Sequence, residues 1–125
     1  MAARQRPAPT TGPGLAPREQ WSVAVVGDSA RLDIPADAQR ERRFEIYCCF
    51  TVAHPGSGEA WHALQVLVDG RQEWARRIST DPGGHDTLEL RLHRSVPAGR
   101  ALRLAALGAT GRARPVRLSI VAEEE

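Results

Sequence analysis

The sequence predicts an all-β protein: a single antiparallel β-sandwich of about eight strands, jelly-roll-like, preceded by an extended Pro-rich N-terminal arm. Three observations predict it. First, apolar and polar residues alternate. Phe44, Ile46, Cys48, Phe50 and Val52 point one way, and Glu45, Tyr47, Cys49 and Thr51 point the other. The pattern returns at Leu88, Leu90, Leu92 and at Val116, Leu118, Ile120. A period of two marks half-buried strands. Second, glycine, proline and aspartate cluster between these runs, as turns require. Third, no stretch carries a helical stripe; Asp37–Arg43 is long enough for one turn of helix only.

The chain has 125 residues, enough for one domain. A domain this size buries roughly two-thirds of its unfolded surface, so it needs no metal or disulfide staple. Residues 1–20 read as an arm. They hold Pro7, Pro9, Pro13 and Pro17 and almost no bulky apolar group, so alone they cannot offset their ordering entropy. Residues 21–122 read as the sandwich domain, and residues 123–125 as an acidic, solvated tail.

The expected strands are Trp21–Val26, Arg31–Ile34, Arg43–Val52, Trp61–Val68, Arg71–Ile78, Thr87–His93, Ala101–Leu107 and Pro115–Val121. Gly27-Asp28, His54-Pro55-Gly56, Asp81-Pro82-Gly83-Gly84 and Pro97-Ala98-Gly99 supply turns between them. The Asp69-Gly70 hairpin admits two registers. A two-residue loop puts Leu64 and Val66 on the face opposite Trp74 and Ile78. A three-residue loop, Val68-Asp69-Gly70, closed as a G1 bulge, puts all four on one face. The second agrees with a single buried face and is preferred. It leaves Gln65, Leu67, Arg71, Glu73, Ala75 and Arg77 on a mostly solvent-like face.

All 17 basic residues are arginine, and lysine and asparagine are absent. A GC-rich genome accounts for this; recognition of anions by arginine forks is the functional alternative. A net charge of only +2 argues against a nucleic-acid footprint. No run approaches the roughly 20 apolar residues of a membrane span. No apolar h-region follows Arg4 and Arg6, so no secretory signal is expected. Cys48 and Cys49 are adjacent and face opposite sides of a strand, which disfavours a bond between them. A cytoplasmic or virion location follows as the expectation.

Gly27-Asp28-Ser29 after an apolar run resembles the nucleophile block of GDSL-type esterases. That resemblance implies Ser29 as nucleophile, with Asp81 and His85 as partners. The chain departs from the family in three ways: a strand-like run follows Ser29, three residues separate Asp81 from His85, and no asparagine is available for the oxyanion hole. An ordinary turn is the plainer reading, and no enzyme activity is expected.

Cys48, Cys49, His54, His62, His85 and His93 lack the close spacing of a zinc site. Asp81 and Asp86 share one loop, but without a dense calcium motif. No metal and no cofactor are expected. Trp21, Trp61 and Trp74 suggest a sugar-stacking platform. Trp74 reads instead as core, which leaves Trp61 as the exposed candidate. Tyr47 and Cys49 on the polar face of their strand suggest cover by a partner or by the arm; cover by a loop of the same chain is the plainer alternative.

The leading expectation is a non-enzymatic structural or interaction module. It would be an accessory component of a larger protein assembly, such as a phage capsid decoration protein, attached through the arm and the Tyr47–Cys49 face. A homo-oligomer fits, a trimer included. The alternative is a carbohydrate- or small-ligand-binding sandwich using Trp61, His54, His85 and Asp86. Nucleic-acid and membrane partners are not expected.

Overall fold

A computed structural model describes residues 18–125. Residues 1–17, most of the expected arm, lie outside the described residues. All eight expected strands form: β1 (Gln20–Val25), β2 (Ser29–Ile34), β3 (Arg42–Ala53), β4 (Trp61–Val68), β5 (Arg71–Ser79), β6 (His85–Val96), β7 (Leu102–Gly111) and β8 (Arg114–Glu124). They build two antiparallel four-stranded sheets, ordered β1-β8-β3-β6 and β2-β7-β4-β5. The pairs nest: β1 with β8, β2 with β7, β3 with β6 and β4 with β5, alternating between the sheets.

The alternation in sequence becomes the core. Phe44, Ile46, Cys48, Phe50 and Val52 of β3 have no exposed surface. They face Leu32, Ile34, Leu64, Val66, Leu102 and Leu104 of the other sheet. Each such side chain contributes roughly 1.5–3 kcal/mol by leaving water. Gly108 of β7 is part of this fit. A Cβ there would lie 2.5 Å from the Phe50 ring, so the ring occupies the space a side chain would take.

The β4–β5 hairpin corrects one expectation and supports another. Asp69 (φ 50°) and Gly70 (φ 81°) are both left-handed, which is the two-residue type I′ turn rather than a three-residue loop. Val68 lies opposite Arg71 and Leu67 opposite Gln72. The register then shifts, with Glu73 as the extra residue, so that Val66 lies opposite Trp74. Leu64 and Val66 do share a face with Trp74 and Ile78. The bulge that arranges this sits inside the strand, not in the turn. Asp-Gly adopts the tight turn at little cost, and the bulge swings Trp74 inward. Glu73 meets Arg94 of β6 at 2.7 Å, tying the two edge strands together across the sandwich.

No helix forms at Asp37–Arg43. Asp37 Oδ1 accepts the Gln39 N–H at 2.9 Å and turns the chain instead, and that bond holds the Asp37 carboxyl below the usual aspartate range. The acidic triplet is likewise not a free tail, because β8 runs to Glu124. Glu124 accepts from Arg40, and Glu125 from Arg43 at 2.9 Å.

These contacts belong to a clamp at one end of the sandwich. Glu19 Oε1 accepts from Arg42 at 2.8 Å and from the Trp21 indole at 2.9 Å. Its Oε2 accepts from Arg40 at 2.9 Å. The Arg42 side chain is only 1% exposed, and its second nitrogen donates to the Pro35 carbonyl at 2.8 Å. Glu19 therefore belongs to the domain, two residues before the expected boundary. A buried charge left without its partner is costly. Glu19→Ala is expected to lower stability by roughly 3 kcal/mol in urea unfolding. Gln20→Ala, on an exposed side chain next to it, should change stability by no more than about 0.5 kcal/mol.

Candidate functional site

Two loops meet at the opposite end of the sandwich, residues 54–60 between β3 and β4 and residues 80–84 between β5 and β6. His54 N–H donates to the Gly84 carbonyl, and Thr80 N–H to the Ala60 carbonyl, both at 2.9 Å. They border an open cavity of about 620 Å³ lined by His54, Glu59, Trp61, Arg77, Thr80 and Pro82, among others. Of the expected residues, His54 and Trp61 line it. His85 and Asp86 begin β6 beside it, opposite Ala53 and Val52. Asp86 is used as a cap: its two oxygens accept the N–H groups of Asp81 and Thr87 at 2.9 and 2.8 Å. His54 Nδ1 accepts the Gly56 N–H at 3.0 Å. Among the described residues no group of three or more His, Cys, Asp or Glu side chains is placed to hold a metal.

Trp61 is half-buried, with both ring faces covered. The Arg77 guanidinium lies 3.8 Å above its centroid. On the β7–β8 side, a Cβ at Gly111 would fall 1.9 Å from the indole nitrogen. A sugar ring has access only if Arg77 moves. Trp74 packs on the core from the inner face, so the two tryptophans are no platform.

Behind the cavity lies His62, which is fully buried. Its Nδ1 is 2.8 Å from the Thr80 hydroxyl, and its ring meets Phe50 edge-on at 6.4 Å. Nε2 has no partner with hydrogen-bond geometry. Desolvation pushes its pKa below the usual histidine range; Asp86 and the Thr87 backbone pull the other way but do not prevail. Sequence reading gave His62 no role beyond a possible ligand.

Tyr47 and Cys49 lie elsewhere, on the outer face of the β1-β8-β3-β6 sheet. Cys49 is five residues along β3 from His54, roughly 17 Å. The Arg91 guanidinium covers the Tyr47 ring at 4.4 Å. Burial, then Cys49, raises the Tyr47 hydroxyl above its ordinary range. Cys48 points into the core, where burial pushes its thiol up to about 12. On that ring face the cover comes from the same chain. The Ser29, Asp81 and His85 trio is not assembled: Ser29 opens an edge strand of one sheet, and His85 opens the opposite edge of the other.

A third region lay outside the expected sites. It is the outer face of the β2-β7-β4-β5 sheet, which strand register orders into rows. Arg77, Ala63 and Ala109 form one row; Ala75, Gln65, Leu107 and Ser29 the next; Gln72, Leu67, Ala105 and Arg31 a third. Two shallow troughs of about 420 and 410 Å³ run along this face and meet at Leu107. The face expected to be solvent-like is therefore apolar at its centre. The available signal was that Leu102–Ala109 and Ala63–Val68 are apolar at nearly every position, on both faces.

No family model matches this chain, and no curated protein matches it. Among solved structures, it is similar to part of dimeric latent PorU from Porphyromonas gingivalis. That match has 13% identity and a TM-score of 0.43 over 78% of this chain and 10% of that one. It is also similar to a chain of the T13 IBDV viral particle, at 10% identity and a TM-score of 0.41 over 94% of this chain and 40% of that one. The chain thus spans about a tenth of the length of the first and two fifths of the second.

His62 makes stability pH-dependent. Its folded pKa is depressed, so the unfolded chain binds a proton first as pH falls. Stability is present above the unfolded value near 6.5 and declines as pH drops below it, until the folded pKa is reached. Thermal unfolding from pH 7 to pH 5 should show a smaller fall in Tm for His62→Gln than for the parent chain. Gly111→Ala is expected to dislodge the indole it supports, read as a red shift in tryptophan emission that Trp61→Phe abolishes.

Proposed function

We propose that this chain is a structural and interaction module, a jelly-roll sandwich serving as an accessory component of a larger protein assembly. The nested strand pairing supports the jelly-roll reading. One observation carries the functional reading: β4 and β7, the central strands of one sheet, present Ala63, Leu67, Ala105, Leu107 and Ala109 outward as well as an apolar row inward. An antiparallel sheet with one wet face alternates apolar and polar residues; a pair apolar on both faces suits cover on both. The outer face of the other sheet, with Tyr47 and Cys49, carries charge at Glu45, Glu89 and Arg91 and its own cover, so it is the second choice.

The N-terminal segment supports the same reading. It joins the domain at the Glu19 clamp, where Arg40 and Arg42 hold it to β3 and β8. A load on that segment would therefore reach the sheets directly. A decoration protein on a capsid lattice fits this outline: a small rigid body with one contact face and one strap. A homo-oligomer on the lattice, trimeric for instance, fits it too.

A second reading rests on the end cavity. Its volume lies in the usual range for small-molecule sites, and His54, Glu59, Arg77 and Thr80 converge on it beside Trp61. A carbohydrate with vicinal hydroxyls suits that donor and acceptor set.

The test is capture by the tagged full-length chain from its native source, compared with Leu107→Glu and Ala109→Glu. A partner retained by the parent should be lost at least about tenfold in both variants, at unchanged Tm. Removal of residues 1–17 should weaken capture further. A partner held equally by both face variants overturns the proposed face. A glycan array on which Arg77→Ala abolishes binding would favour the cavity.

A further inference from the structure

The sandwich has four edge strands, β1 and β6 in one sheet and β2 and β5 in the other. An edge offers N–H and C=O groups to any strand that can reach it, and proteins blunt most of their edges. β5 is blunted twice, by the bulge at Glu73 and by Arg76, which stands opposite Leu64 on the inner side. β1 and β2 are only six residues each. β6 is different. It runs for twelve residues, His85–Val96, in unbroken register with β3. It holds no proline, no glycine and no bulge. Among the described residues its other edge pairs with no strand.

The ladder tells which backbone groups are free. His54 N–H donates to the Gly84 carbonyl in the same register, so the even-numbered residues of β6 spend their backbone groups on β3. The odd-numbered ones, Glu89 and Arg91 among them, aim theirs at the open edge. Thr87 agrees with this: its N–H is taken by the neighbouring Asp86 carboxylate at 2.8 Å. On the inner side, Leu90 and Leu92 are only partly buried, as are Trp74 and Ile78 of the facing edge strand β5. Charge is also ordered along β6. Asp86 and Glu89 precede Leu90, and Arg94 and Arg91 follow it at the same distances. The strand therefore reads with opposite charge from its two ends.

We propose that β6 pairs antiparallel with β6 of a second copy of this chain, about a twofold axis at Leu90, so that one continuous sheet crosses the dimer. This goes beyond the assembly reading, which leaves the geometry of a homo-oligomer open, and it uses an edge rather than the outer β2-β7-β4-β5 face. Free backbone groups must meet free ones, odd residue to odd residue, so the axis falls on a residue and not between two. An axis at Glu89 or at Arg91 would set that charge against its own copy. An axis at Leu88 or Leu92 would set Glu89 against Thr87 or Ser95. Only at Leu90 does Glu89 meet Arg91 of the second copy while Asp86 meets Arg94, each pair occurring twice. Glu89 and Arg91 then form a hydrogen-bonding pair that exchanges two backbone bonds on each side of the axis. Leu88 lies against Leu92, and Leu90 against its own copy, in the closer pairs with Cα atoms about 4.5 Å apart. Arg94 Nε, buried and without a partner beside Glu73, has an acceptor opposite it in Asp86 of the second copy. Each Asp86 oxygen accepts one backbone N–H in its own chain and keeps a lone pair. Arg91 already meets Glu45 at 3.3 Å and the Tyr47 ring, so the charges select the register while the ladder and the leucines supply the affinity.

The experiment is light scattering and sedimentation of the full chain from micromolar to millimolar concentration, with amide hydrogen exchange at the upper end. The parent should reach the mass of two chains. The Glu89 and Arg91 amides, which face no strand in a single copy, should be protected there. Glu89→Arg and Arg91→Glu should each weaken the dimer at least about tenfold, because each sets like charges opposite one another twice. An equimolar mixture of these two variants should recover a dimer containing one of each, since either supplies the charge the other needs. Glu89→Pro removes an edge-facing N–H that β3 does not use and should also give a monomer. It stands in for Arg91→Glu if that variant, which vacates the Tyr47 ring, does not fold. Leu107→Glu should leave the dimer intact, so this proposal and the face proposed for the assembly partner fail separately. A parent that stays monomeric at millimolar concentration, a trimer, or a dimer unchanged by Glu89→Arg and Glu89→Pro overturns the proposal. So does a mixture of folded charge variants that stays monomeric, or a dimer whose Glu89 and Arg91 amides exchange freely.

Discussion

Phe44, Ile46, Cys48, Phe50 and Val52 form a row without exposed surface along β3, and both sheets are arranged around it. β3 is hydrogen-bonded on both sides, to β6 and to β8, so its register fixes theirs. Its inner row is also the floor on which the second sheet packs. Because side chains alternate strictly, a one-residue slip would expose all five apolar groups at once. The second sheet adapts to this row rather than the reverse. β7 carries a glycine at 108 where Phe50 needs room, and β5 takes a bulge at Glu73 so that Trp74 and Ile78 reach the common core.

The two ends of the sandwich are built differently, and the difference is chemical. One end is tied by charge. Glu19, Arg40, Arg42 and Glu124 pair with one another where β1, β3 and β8 begin or end, and Arg42 Nε alone of that guanidinium has no hydrogen-bond partner. In so dry a setting each charge needs its partner, which makes the clamp specific as well as firm. The other end is tied by backbone bonds between two loops, and its side chains are left to line a cavity. His62 stands beneath that cavity as a buried ring with one nitrogen unmatched. Glu19 enters the domain at the charged end, and the cavity lies at the other.

Strand positions were legible because period-two alternation and turn residues are local properties. β4 was readable to the residue, Trp61–Val68, since a turn signal bounds each end. β6 extends from His85 to Val96, beyond the expected Thr87–His93, because pairing with β3 carries strand geometry past the apolar run. The hairpin shows a limit. Parity told that Leu64 and Trp74 share a face, but two bulge positions give the same parity, and only packing against the far sheet selects Glu73. The candidate residues were legible as residues and not as neighbours. His54 and Trp61 converge because two loops close on each other, and Tyr47 and Cys49 belong to a different sheet face. The apolar outer face was written in β4 and β7, yet a strand apolar on both sides reads in sequence simply as a strong core strand.

The arginine content can be separated along the same lines. Every basic residue of the chain is arginine, and the place of each in the fold decides what it meets. On the outer face of the β1-β8-β3-β6 sheet, Arg91 pairs with Glu45, while Arg43 reaches Glu125. At the clamp, Arg40 and Arg42 share Glu19. On the outer β2-β7-β4-β5 face, Asp33 lies opposite Arg103, whose N–H the Asp69 side chain accepts, and Ala63, Ala105 and Ala109 stand in the rows beside them. A net charge of +2 over the whole chain describes no single face, because a surface recognises its partner by local field rather than by total charge.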